Sequence, residues 1–203
     1  MQVLLLTIVM LLLILGKCLD TVWVGLEKNR INSVLFFSVL CISELFPWQL
    51  QAGKVSLQPI TLLLLLCAGI FFFVHTPQGW MRFKAVLCGC ICCAAVYFCS
   101  LYFTEYTDEI LQEKTVYAAL VISACAYVLC SDFAGAMCAA VLGCIMGTAA
   151  LHTAHFQLFF DVLFIGHSPM TLCFLYCMLF IPVLFAVTDA LQRFVDYTKR
   201  VHS

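Results

Sequence analysis

Four cysteines stand within six residues of one another, Cys88, Cys90, Cys92 and Cys93, in the run LCGCICCAA. Cys90 and Cys93 have the CxxC spacing of redox and metal sites, and Cys88 and Cys92 share one helical face a turn apart. The surrounding run is apolar, with no cation nearby to make thiolates, and a tetrahedral site needs donors from several directions. Cys173 and Cys177 repeat the one-turn spacing. Nearly all of the 14 cysteines lie in apolar runs, where cysteine acts as a small hydrophobe, so free thiols are expected.

A second set consists of His152, His155 and Asp161, with His167 close by. Two imidazoles and a carboxylate suit a divalent metal, although polar residues in a wet interfacial loop explain them as well. Lys17 and Asp20, three apart in an apolar run, form a possible intramembrane charge pair, and buried charges in a membrane are functional candidates by default. There is no His-Glu-x-x-His, phosphate-binding glycine loop or Gly-x-Ser-x-Gly elbow, and no nucleophile with a base beside it. No catalytic residue, cofactor or metal is therefore assigned, and a non-enzymatic protein is expected.

The elements that must hold these residues follow from composition. The chain has 203 residues, 65% hydrophobic and 10% charged, with a mean hydropathy of +1.08. Soluble domains run at ~45 to 50% apolar and ~25% charged, so too little polar surface exists here to face water. The bilayer is the expected solvent, and long unalternating apolar runs must then be helices that satisfy their own backbones. A net charge of -1 excludes the basic balance of a nucleic-acid binder.

The expected architecture is an all-α polytopic transmembrane bundle, a single domain over 1–203 with about seven spans. These fall at 2–26, 31–46, 57–74, 83–103, 115–131, 133–151 and 169–187, with an interfacial segment at 152–168 and a cytoplasmic tail at 188–203. The first run lacks a basic n-region and a small-residue cleavage site and reads as an uncleaved span. Glu27 to Arg30 reads as a polar hinge, 49–58 as a loop, and Pro59 as a helix start. Pro182 lies inside the last span, where a kink is expected. Residues 115–151 as one helix would measure ~55 Å at ~1.5 Å per residue, against a hydrocarbon core of ~30 Å. The chain must therefore turn at Ser131 and Asp132.

Parity with that turn places Lys28, Arg30, Arg82, Lys84, Arg193, Lys199 and Arg200 on one side and Lys54 and Lys114 on the other. Cations favour the cytoplasmic face, so the N-terminus is expected outside and the C-terminus inside.

Gly135, Ala139, Gly143 and Gly147 recur every fourth residue, the last pair forming a GxxxG. In a helix they make a shallow groove that lets another backbone approach, which predicts a central helix-packing element. The partners implied are the lipid bilayer and other membrane proteins, and no nucleic acid. A structural or assembly subunit is the leading expectation, and a small-solute carrier or channel with Lys17 and Asp20 in its path is the alternative.

The opening span ending in TVWVGLEKNR, followed directly by a second span and by a Gly53, Lys54, Val55, Ser56 turn before a Leu-rich third, resembles the YphA-like small membrane proteins of spore-forming bacteria. The likeness covers about the first third and contains no catalytic motif. It implies a multi-pass protein of the bacterial cytoplasmic membrane, of uncharacterised function.

Overall fold

A computed structural model describes residues 2–16, 26–46, 48–52, 55–76, 79–103, 111–156, 163–165 and 168–202. Among them are seven helices: α1 Gln2–Leu15, α2 Leu26–Leu45, α3 Pro59–His75, α4 Trp80–Phe103, α5 Leu111–Leu129, α6 Phe133–Phe156 and α7 Ser168–His202. Three short strands accompany them: β1 Leu50–Ala52, β2 Val55–Leu57 and β3 Leu163–Ile165.

Three helical stretches are long and apolar enough to cross a membrane: Trp80–Phe98, Phe133–Ala150 and Met170–Lys199. Gln2–Leu15, Pro59–His75 and Thr115–Leu129 are apolar but shorter. Large apolar side chains also face outward, among them Leu5, Leu12, Ile31, Leu63, Ile70 and Val128. Scattered exposure of this kind is ordinary, but whole helix faces of it fit hydrocarbon better than water.

Helix α6 stands at the centre. It packs on α3, α4, α5 and α7, while α1 touches α2 and α7, and α2 touches α3. Its residues from Gly135 to Val141 are all buried, and it is apolar all round, as a helix enclosed by others must be. The core that results combines small side chains on α6 with large ones brought to it: Phe37, Leu40, Leu65, Ile122, Phe174, Leu175 and Ile181 are fully buried. Phe36, Phe37 and Phe174 meet edge-on, with centroids 5.3 and 6.1 Å apart, and tie α2 to α7.

The helix ends show why the chain turns where it does. Cys130 N–H closes the last turn of α5 on Ala126 O at 2.9 Å. Asp132 then caps α6: its Oδ2 accepts Gly135 N–H at 2.7 Å, and its carbonyl accepts Ala136 N–H at 3.0 Å. A side-chain oxygen on the third amide of a helix is the N-cap arrangement, and here it lets two helices meet with almost no loop. Pro59 opens α3 at a position where its missing N–H costs nothing. At the other end of α3, Arg82 donates to Thr76 O at 3.2 Å and Val74 O at 3.1 Å, with its guanidinium 5.3 Å from the Phe73 ring centre. A cation there satisfies carbonyls that the helix leaves open and complements its negative end.

Several element bounds differ from those expected. The hinge at Glu27 to Arg30 lies inside α2, since Glu, Lys and Arg are good helix formers and need no break. The loop at 49–58 and the interfacial segment at 152–168 both contain strands. β1 and β2 pair antiparallel, Leu50 opposite Leu57, and β2 pairs parallel with β3, Ser56 opposite Phe164. Backbone pairing thus joins these two connections to each other. The final span and tail, expected as 169–187 and 188–203, are one continuous helix of 35 residues that runs through Pro182. Helix α6 continues past 151 to Phe156. Residues 17–25, with Lys17 and Asp20, lie outside the described residues.

Replacing Asp132 with Ala removes the cap and should lower stability by about 0.5 to 2 kcal/mol. Reversible denaturation in mixed micelles would measure it; an unchanged midpoint would mean that the turn does not need the carboxylate.

Candidate functional site

The small-residue series on α6 divides into parts with different duties. A Cβ at Gly143 would overlap the Cβ of Cys92 on α4 and come within 3.3 Å of the Cys92 carbonyl carbon. At Gly147 it would stand 2.6 Å from Val96 Cβ. The approach is reciprocal, because a Cβ at Gly89 of α4 would lie 3.0 Å from Leu142 Cβ and 3.5 Å from Ala139 O. Ala139 is fully buried in the same seam. On a different side of α6, Gly69 of α3 would meet Val141 Cγ1 at 3.3 Å. Small residues thus bring α4 to near backbone contact, as dispersion-driven packing in lipid requires. At Gly135 a Cβ would sit 2.9 Å from Asp132 Oδ1, so its smallness serves the cap as well. The groove is filled by the chain's own α4.

The cysteines also separate. Cys90 is exposed and Cys93 half-buried, whereas Cys88 and Cys92 are buried. Cys88 Sγ lies 4.0 Å from Cys92 Sγ, and their thiols donate to Cys125 O at 3.9 Å and Ile122 O at 3.8 Å on α5. These are long, weak bonds to carbonyls already in a helix ladder, so the pair acts as a polarizable filler of the α4–α5 contact. The CxxC pair Cys90 and Cys93 lies toward the outer face, apart from the buried pair.

A tighter group forms elsewhere. Cys144 of α6 meets Cys173 and Cys177 of α7, all three buried, with every sulfur within 4.8 Å of the others. Cys144 Sγ–H points to Cys173 Sγ at 3.6 Å, and Cys177 Sγ–H to Ala119 O of α5 at 3.7 Å. The one-turn spacing of Cys173 and Cys177 was the available sequence signal; Cys144 comes from another helix and nothing local marks it. One turn beyond Ala119, the fully buried Ser123 hydroxyl stands beside the Cys177 thiol and makes no well-formed hydrogen bond. That is unlike Thr7, Thr148 and Thr188, whose hydroxyls donate back to carbonyls four residues earlier at 2.7 to 2.9 Å.

Other polar groups are neutral or peripheral. The buried polar side chains among the described residues are Thr7, Ser43, Ser56, Gln58, Thr61, Thr76, Ser123 and Thr171. Ser43 Oγ and Thr61 Oγ1 approach to 3.5 Å between α2 and α3. His152 and His155 fall in the last turns of α6; their side chains, and Asp161 and His167 entirely, lie outside the described residues.

Two predictions follow from the seam and the thiols. Gly143→Ala should destabilise the bundle by about 1 to 3 kcal/mol through overpacking, and Gly143→Leu with Gly147→Leu should abolish it. Ala94→Leu on the outward face of α4 should be neutral; equal effects of the inward and outward changes in a detergent unfolding assay would refute the seam. A membrane-permeant maleimide should label Cys67 and Cys90, both exposed, and leave Cys144, Cys173 and Cys177 untouched until the protein is unfolded. Peptide mass mapping reads the difference.

Set against protein-family models, curated proteins and solved structures, this arrangement of seven helices around a glycine seam finds no match in any of the three comparisons.

Proposed function

We propose that the chain is an integral membrane protein that serves as a non-enzymatic structural or assembly partner of other membrane proteins. On this reading it is a bundle of about seven spans in a bacterial cytoplasmic membrane, of the kind its YphA-like opening implies, with its N-terminus outside and its C-terminus in the cytosol.

The observation that carries the proposal is the outer end of α7. A helix of 35 residues is ~52 Å long at ~1.5 Å per residue, well beyond a ~30 Å hydrocarbon core. Its described residues from Asp189 to Tyr197 are all exposed. Within them the pattern is amphipathic. Val187, Leu191, Phe194 and Val195 recur at helical spacing and are 46 to 66% exposed, while Asp189, Arg193 and Asp196 take the other side. Arg193 and Asp189 pair at 2.7 Å, one turn apart. An exposed pair of that kind adds at most a few tenths of a kcal/mol, so it shapes the polar face more than it stabilises the helix. An apolar stripe held out rigidly on a continuous helix is the form in which helices dock into partner grooves or alongside partner helices. The filled α6 groove supports the same division of labour: the glycines build the bundle, and the α7 extension is left to meet a partner.

A photo-crosslinking amino acid at position 194 in native membranes should yield a discrete protein adduct, and Leu191→Asp should abolish it without unfolding the bundle. Adducts to lipid alone would sink the proposal. The orientation has a separate check. A cysteine at position 199 should stay unlabelled when intact cells meet an impermeant thiol reagent and react once the cells are opened; labelling on intact cells would reverse the topology.

A further inference from the structure

We infer that Cys144, Cys173 and Cys177 form a binding site for a soft monovalent d10 cation, copper(I), in the contact between α6 and α7. The three sulfurs come from two directions, Cys144 from the central helix and the other two from consecutive turns of α7. One edge of the sulfur triangle is 3.6 Å, and none exceeds 4.8 Å. If the ~2.3 Å zinc–thiolate bond is taken as a guide, three sulfurs in a trigonal plane about one ion stand ~4.0 Å apart. One edge is a little shorter than that and none is much longer, so the site forms by small sulfur displacements and no helix has to move.

The donor set selects the ion. Thiolates favour copper(I) and zinc(II), and zinc in a protein takes four donors with charges to match +2. Among the described residues no carboxylate or imidazole joins these sulfurs. Copper(I) is content with three sulfur donors and carries only +1. When one of the thiols binds as thiolate, one proton leaves as one copper(I) enters, no electron moves, and the buried cluster stays neutral. Neutrality matters because an unbalanced charge in so apolar a place is costly.

Ser123 supplies the independent observation. Its buried hydroxyl makes no well-formed hydrogen bond and faces the Cys177 sulfur, a weak acceptor whose own proton is directed to Ala119 O. Once Cys177 is a metal-bound thiolate it becomes a strong acceptor, and the weak Ser123 contact becomes a charge-assisted hydrogen bond. A hydrogen bond to a ligating atom is the usual outer support of a metal site. Ser123 is therefore a positioning residue.

The test uses the full chain, purified under reducing conditions in detergent, titrated with copper(I) against a chromophoric chelator. About one copper(I) per chain should bind, with X-ray absorption showing only sulfur neighbours near ~2.3 Å. Cys144→Ala, Cys173→Ala and Cys177→Ala should each lose the ion, while Cys67→Ala and Cys90→Ala keep it. Ser123→Ala should weaken binding by about 10- to 100-fold, and Ser123→Thr should restore it. Far-UV circular dichroism separates loss of the site from loss of the fold, and the wild-type absorption spectrum stands whether or not any variant folds. No copper bound by the wild type, nitrogen or oxygen in the ion's shell, or copper retained by all three Cys→Ala variants would overturn the proposal.

Discussion

The close approach of α4 to α6 is the constraint from which the rest of the packing follows. Dispersion falls off steeply with distance, and in hydrocarbon there is no hydrophobic effect between helices to replace it. Gly143 and Gly147 remove the side chains that would hold α4 away, and Gly89 does the same for Leu142 coming back. With α4 seated so near, α5 reaches both helices, and α7 closes against α5 and α6. The large residues Phe174, Leu175 and Ile181 of α7 then fill the volume that a small-residue helix leaves. Much of the bulk is supplied by the outer helices because the seam face of the central one has little to give.

Backbone satisfaction sets the second limit. A turn of three residues between α5 and α6 leaves helix-end amides without partners, and the Asp132 carboxylate takes one of them. Gly135 must stay small for that carboxylate to remain in position. One residue of a regular four-residue series therefore answers to a different neighbour from the rest, which spacing alone does not reveal.

How far the sequence could be read depends on whether a feature is local. The existence of the helices, the start of α3 at Pro59 and the break at Ser131 and Asp132 follow from runs of apolar residues, from proline and from length against bilayer thickness, all properties of adjacent residues. The small-residue face of α6 was legible as a face, but its partner was not, because which helix fills a groove is decided by the whole bundle. The cysteine cluster shows the same divide. Cys88 to Cys93 drew attention by density and prove to be split between faces, while Cys144 joins Cys173 and Cys177 only through the packing of α6 on α7. The strands were missed because each has three residues, too few for an alternating pattern to register.

Among those strands, β2 has a particular place in the history of the chain. It pairs early with its neighbour β1 but also with β3, which is made only after α3, α4, α5 and α6. From the moment the hairpin emerges until β3 arrives, one side of β2 offers unpaired amides and carbonyls to whatever strand comes first. Native pairing of such distant segments is slow because a long loop has to close before any bond rewards it. The sheet is thus completed only by a strand that follows α6 in the chain, across a connection that contains four helices.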